Sequence, residues 1–224
     1  MAEAWQAQIR KLALTSWGNG QRLIALTGVE AQSGVSTLCE GVAAFAARSG
    51  RRTVLLDMAR PIEAAITAWQ PETPPDGVVM HDAAGFDRLM LAAGRDGCSL
   101  SDTGQLQRGI EDHLGGYDTI VADIAPLHEI GTRAVDGPAA AAACGSVYLV
   151  VLAGRIDRAA FTSTLSLLEA SRIELAGLIL NDRFNATLAA EMAREAGRLR
   201  FIAPRLSRWL ARKALSSRFL SERT

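Results

Sequence analysis

Lysine is almost missing from this chain: Lys11 and Lys213 stand against twenty-two arginines in 224 residues, so positions 12 to 212 hold no ammonium side chain. Chemistry that needs an internal lysine, whether for a Schiff base or for gripping phosphate, is excluded unless an end segment folds back to supply it. Tyrosine is nearly as scarce. Tyr117 and Tyr148 are the only two, and the C-terminal run RLSRWLARKALSSRFLSERT contains neither. Cys39, Cys98 and Cys144 form no CxxC pair and have no histidine at ligand spacing, which excludes a disulfide framework and a zinc site and predicts a reducing, cytoplasmic setting. Formal charge is zero, so no global field recruits nucleic acid, and no nucleic-acid partner is expected. No run approaches the ~20 apolar residues of a membrane span. The opening MAEAWQAQIRKLAL is broken by Gln, Arg and Lys and has no signal-peptide core.

What is present is a core-forming α/β pattern. Hydrophobic residues make up 49% of the chain, enough to bury one sizeable domain. The expected organisation is an N-terminal helix and linker over 1–20, a main domain over 21–200 and a basic amphipathic tail over 201–224. Short runs rich in Val, Ile and Leu predict strands at Arg22–Thr27, Arg52–Asp57, Arg88–Ala92, Thr119–Asp123, Ser146–Leu152 and Leu175–Asn181. Helical segments alternate with them at Ser36–Ser49, Asp102–Leu114, Thr132–Cys144 and Asp157–Arg172. This order predicts a doubly wound, mostly parallel sheet with helices on both faces. The Pro- and Gly-rich stretch from Pro61 to Phe86 reads as surface loop with a short helix at Ile62–Trp69.

One turn has the setting of a phosphate cradle. LIALTGVEAQSGVSTLCEGVAAF places a buried-type strand before a turn of small residues and then a helix opened by Ser36 and Thr37. Aligned on GxxxxGK[ST], Val29 stands at the first glycine, Gly34 at the second, Val35 at the lysine and Ser36 at the magnesium-binding hydroxyl. Two of the four defining positions depart from the motif.

The surroundings carry more information. ALTGVEAQSGVSTLCEGVAAFAARSGRRTVLLDMARP resembles the phosphate-loop region of bacterial capsule and exopolysaccharide tyrosine kinases, within the ParA/MinD group of P-loop ATPases. YDTIVADIAPL resembles their Walker B strand, and CGSVYLVVLAGRIDRAAFTSTLSLLEASRIELAGLILND a later strand, helix and strand. Together the three segments cover roughly residues 20 to 185 in the family order. The resemblance implies that Asp57 and Asp123 are the carboxylates that place magnesium and the attacking group. It likewise implies that Gly34, Ser36 and Thr37 cradle phosphate and that Asn181 meets the adenine edge. Against it, Gln32 and Ser33 replace the loop's Gly-Glu, Val35 replaces the lysine, and Ala59 stands where a second aspartate is common. An oxyanion contact of that kind contributes a factor of ~10²–10³ in rate. Arg60 and Arg155 are the candidate replacement cations.

Each position has a plainer role too. Ser36 and Thr37 suit a helix cap, Asp57 and Asp123 a turn, and Asn181 a cap before Arg183. His81, His113 and His128 read as surface residues, and Cys39 as a small buried one. Three functions stay open. One is a nucleotide-deficient relative, binding ATP weakly or not at all and needing no cofactor, that docks as a cytoplasmic partner or regulator on a membrane polysaccharide co-polymerase or export protein. The second is a working ATPase, taking ATP or ADP with Mg²⁺ through an unconventional loop. The third is a structural interaction module. A homo-oligomer stays open for each of them. The tail sets Leu206, Trp209, Leu210 and Leu220 on one helical side and Arg205, Arg208 and Arg212 on another. It suits protein docking or peripheral membrane contact.

Overall fold

The strands form where β-branched and leucine-rich runs occur, and their alternation sends side chains to two different cores. The structure, a computed structural model, describes residues 2–61, 68–94, 98–131, 133–154 and 156–182. The expected helix at 62–69 falls mostly outside these residues, and Arg155 and the tail over 201–224 fall wholly outside them.

In chain order the elements are α1 (Ala2–Gly18), β1 (Leu23–Gly28), α2 (Val35–Arg48), β2 (Thr53–Asp57), β3 (Met80–His81) and β4 (Asp87–Met90). They continue with α3 (Thr103–His113), β5 (Thr119–Ile124), α4 (Gly137–Cys144), β6 (Ser146–Leu152), α5 (Arg158–Ala170) and β7 (Glu174–Asn181). One sheet in the order β3-β4-β2-β5-β1-β6-β7 joins all seven strands. Every pairing is parallel except β3 with β4. The doubly wound α/β class expected from the sequence is the class observed.

Within β2, Leu55 faces the core under α1 and α2, while Val54 and Leu56 face the core under α3, α4 and α5. β1 and β5 split in the same way, with Leu26 and Val121 on the α2 side and Ala25 and Ala122 on the other. The central strands are buried along almost their full length, as parallel strands covered on both faces must be. α1 joins the α2 side through Ile9 and Ala13, and a hydrogen bond between Ser16 Oγ and Tyr148 Oη (3.0 Å) ties it to β6.

Three local readings change. α4 begins at Gly137, not at residue 132, because Asp136 takes an extended backbone and Pro138 opens the first turn, where a missing N–H costs nothing. Trp69 is fully buried instead of lying on a surface loop: its indole Nε1 donates to the Thr73 carbonyl (2.7 Å) and its ring meets the edge of His113 at 6.2 Å. His113 is therefore half-buried, whereas His81 and His128 are exposed.

Candidate functional site

The C-terminal ends of β1, β2 and β5 converge at one edge of the sheet, where ligands of open α/β sheets bind. β1 ends at Gly28, and the loop that follows turns twice through positive φ, at Gln32 (63°) and Gly34 (91°), before α2 starts. Gly28 is required by crowding: a Cβ there would lie 2.1 Å from Ser33 Oγ and 2.9 Å from the Glu30 carbonyl oxygen. Ser33 is buried, and its hydroxyl donates to that same Glu30 carbonyl. Asn181, at the end of β7, donates from Nδ2 to the Ser33 carbonyl at 2.8 Å. A small void of about 10 Å³ bounded by Val29, Ser33, Leu152 and Ile156 is no larger than one water molecule needs.

Both motif departures are built into apolar packing. Val29 is buried with Leu149 and Val151 of β6, against Ile156 and Phe161, and its amide donates to the Val150 carbonyl (3.2 Å). Val35 packs on the apolar cluster shared by α1, α2 and β1. The start of α2 nevertheless leaves backbone donors open: among the described residues the amides of Gly34, Val35 and Ser36 donate to no protein acceptor. Gly34 is the cap residue of α2 and supplies no side chain, so Ser36 and Thr37 lie inside the first turn, both exposed, and neither caps it.

Asp57 and Asp123 are register partners on adjacent parallel strands and point to the α2 side of the sheet; each is 5% exposed. Their surroundings differ. Arg60 Nε donates to Asp57 Oδ2 at 2.7 Å, and this hydrogen bond, with the charge of Asp57, raises the guanidinium pKa. Arg60 is thus a partner of the acid and not a free cation for the loop. Asp123 has no such partner at contact distance among the described residues. Burial pushes its carboxyl up from the ordinary 3.8 to about 6; a hydrogen bond from Ser36 opposes the rise, and the charges of Asp57 and Glu40 add to it. Glu40 is engaged by Arg88 (2.8 Å), whose charge slightly favours ionised Asp123. Cys39 is wholly buried beneath this acidic group, and burial, then Asp123 and Asp57, hold its thiol protonated.

The structure thus brings Gly34, Ser36, Thr37, Asp57, Asp123 and Asn181 to one sheet edge, with Asn181 gripping the loop itself. Sequence reasoning missed two pairings, Arg60 with Asp57 and Arg88 with Glu40. The first had a signal, an arginine three residues beyond the strand-ending aspartate. The second links residues 48 apart and had none.

Among the described residues no helix is long and apolar enough to cross a membrane, and no group of three or more His, Cys, Asp or Glu side chains is placed to hold a metal ion. No protein-family model matches the chain, and neither does any curated protein sequence. Solved structures do match. The BceF tyrosine kinase domain superposes with a TM-score of 0.61 at 18% identity, over 80% of this chain and 76% of that one. The chimerical protein CapA2B2 gives 0.60 at 16% identity, over 81% and 84%. The MinC:MinD cell division protein complex of Aquifex aeolicus gives 0.56 at 17% identity, over 71% and 68%. At such identities it is architecture that is shared: the chain carries the α/β fold of these structures, a tyrosine kinase domain and the MinC:MinD complex among them.

Proposed function

We propose that this protein is a nucleotide-deficient relative of the polysaccharide tyrosine kinases that works by docking, as a partner or regulator of a membrane polysaccharide polymerisation and export assembly. The observation that carries the proposal is that, among the described residues, no free cation stands at the loop. The lysine position is a valine seated in an apolar cluster, and the nearby Arg60 is committed to Asp57. A magnesium–nucleotide would bring several negative oxygens against Val35 and would have to displace a guanidinium from the acid it needs. Those residues do not fit the group. Likeness of fold to a tyrosine-kinase domain, together with the three sequence segments that resemble the polysaccharide kinases, supports the polysaccharide setting, and the two buried tyrosines support the loss of phosphoryl transfer. Calorimetric titration with ATP and Mg²⁺ tests the reading: saturable micromolar binding overturns it.

A second reading has one observation in its favour. The free amides of Gly34, Val35 and Ser36 and the paired aspartates keep the frame of a working site, as an ATPase with an unconventional loop would need. The same titration separates the two.

A further inference from the structure

α1 crosses α2 at a tight contact, where Gly41 leaves room for Ile9: a Cβ on Gly41 would lie 2.4 Å from Ile9 Cδ1. Beside that crossing lies an open trough of about 1000 Å³ lined by residues of both helices, with no phosphate-loop residue among its described lining. Its floor is apolar, with Ile9, Leu14 and Phe45, and Leu14 is 47% exposed. Its rim is cationic, with Arg10, Lys11 and Arg48, all exposed, and no acidic side chain occurs among its described lining residues. The one acid of α2, Glu40, pairs with Arg88 of β4 instead. One of the chain's two lysines thus lies on this rim.

We infer that the trough between α1 and α2 is a docking groove for an amphipathic helix of a partner protein, one with an apolar stripe flanked by Asp and Glu. The shape and the charge each select against other occupants. A lipid surface is flat and would meet the rim without reaching Ile9 and Phe45, whereas a helix laid along α1 fills a concavity of this size. The facing helix would run beside α1, whose 17 residues span about 25 Å. Three cations around an apolar floor repel a basic helix and steer an acidic one, and they release it as salt rises. The inference rests on the docking reading only in requiring a partner; the nucleotide titration tests that reading separately, because no loop residue is among the groove's described lining residues.

The test uses the full chain and two labelled helical peptides that share one apolar stripe, with Glu flanks in one and Lys flanks in the other, measured by fluorescence anisotropy. The Glu peptide is expected to bind saturably, and about tenfold more weakly when Arg10→Glu and Arg48→Glu are combined. The Lys peptide is expected not to bind. Leu14→Asp should abolish binding with an unchanged thermal melt, since Leu14 is a surface residue, and this control separates lost docking from lost folding. Equal binding of both peptides, or none by either, overturns the inference. So does a concentration-dependent dimer in sedimentation that Leu14→Asp dissolves while the Glu peptide stays unbound, because the occupant is then a second copy of the chain.

Discussion

Asp57 and Asp123 are register partners on neighbouring strands, equally buried, yet only Asp57 is paired with a cation, Arg60 at 2.7 Å. In a metal-assisted phosphate site the two acids share one external cation. Here the protein supplies the positive charge itself and leaves the second acid to burial, which raises its pKa to about 6.

The first prediction concerns pH. A carboxyl whose pKa is higher folded than unfolded binds protons more tightly in the native state. Its favourable contribution is complete below about pH 4 and is lost as pH rises through about 6. Asp123→Asn should therefore raise the melting temperature at pH 7, by an amount equivalent to at most about 3 kcal/mol, and the gain should shrink toward pH 4. Paired melts of the two proteins across that range decide it. A variant less stable than the parent at pH 7 contradicts the assignment.

Removing Arg60 should expose a cation need. Arg60→Ala leaves Asp57 buried beside Asp123 without its counter-charge, at a cost of about 1–2 kcal/mol once the exposure of Arg60 is allowed for. Added Mg²⁺ or Mn²⁺ should recover part of that loss in the variant and change nothing in the parent. A parent protein stabilised equally by the metals would show that Arg60 does not occupy the cation position.

At the loop, Gly28→Ala should destabilise by about 1–3 kcal/mol, because the new methyl group collides with Ser33 Oγ and the Glu30 carbonyl. Ser33→Ala in the same chain should return only part of this, since the carbonyl contact remains. Chemical denaturation of the two single variants and the double variant measures the coupling. Full additivity would mean that the Ser33 hydroxyl is not where the structure puts it.

No phosphotyrosine should accumulate when the purified protein is incubated with ATP. Tyr117 and Tyr148 are each 8% exposed; the Tyr117 hydroxyl donates to Asp87 (2.8 Å) and its pKa is raised to about 12, while Tyr148 is bonded to Ser16. Intact mass reads each added phosphate directly, and stoichiometric modification of either tyrosine refutes the docking account.

How much of this was legible beforehand depends on the residues involved. β6 was read to its end residues because SVYLVVL is an unbroken apolar run between two glycines, Gly145 and Gly154. β3 was not, because two exposed residues, Met80 and His81, show no alternation, and their pairing with β4 is a tertiary event. Trp69 was misplaced by its neighbours: the polar, proline-rich PETPPDG suggests surface, but one large indole returning to the core outweighs local composition. The site aspartates were visible at strand ends. The commitment of Arg60 to one of them was not, because sequence shows an i,i+3 spacing and not which way a side chain turns beyond a strand. Expectations for the tail over 201–224 lie outside the described residues, and liposome flotation of the intact chain against one ending at Pro204 addresses them. Docking on protein predicts no flotation of either form, and salt-sensitive flotation lost on truncation supports membrane contact.

The central claim is that a loop with Val35 at the lysine position, and Arg60 held by Asp57, does not take a magnesium–nucleotide. Calorimetric titration of the full chain with ATP and Mg²⁺, alongside the Val35→Lys variant, tests it most directly. The account predicts no saturable heat for the parent and little for the variant, where Gln32 and Ser33 still shape the loop and Arg60 still covers Asp57. Micromolar or tighter binding by the parent, or full ATP hydrolysis by Val35→Lys alone, would contradict it.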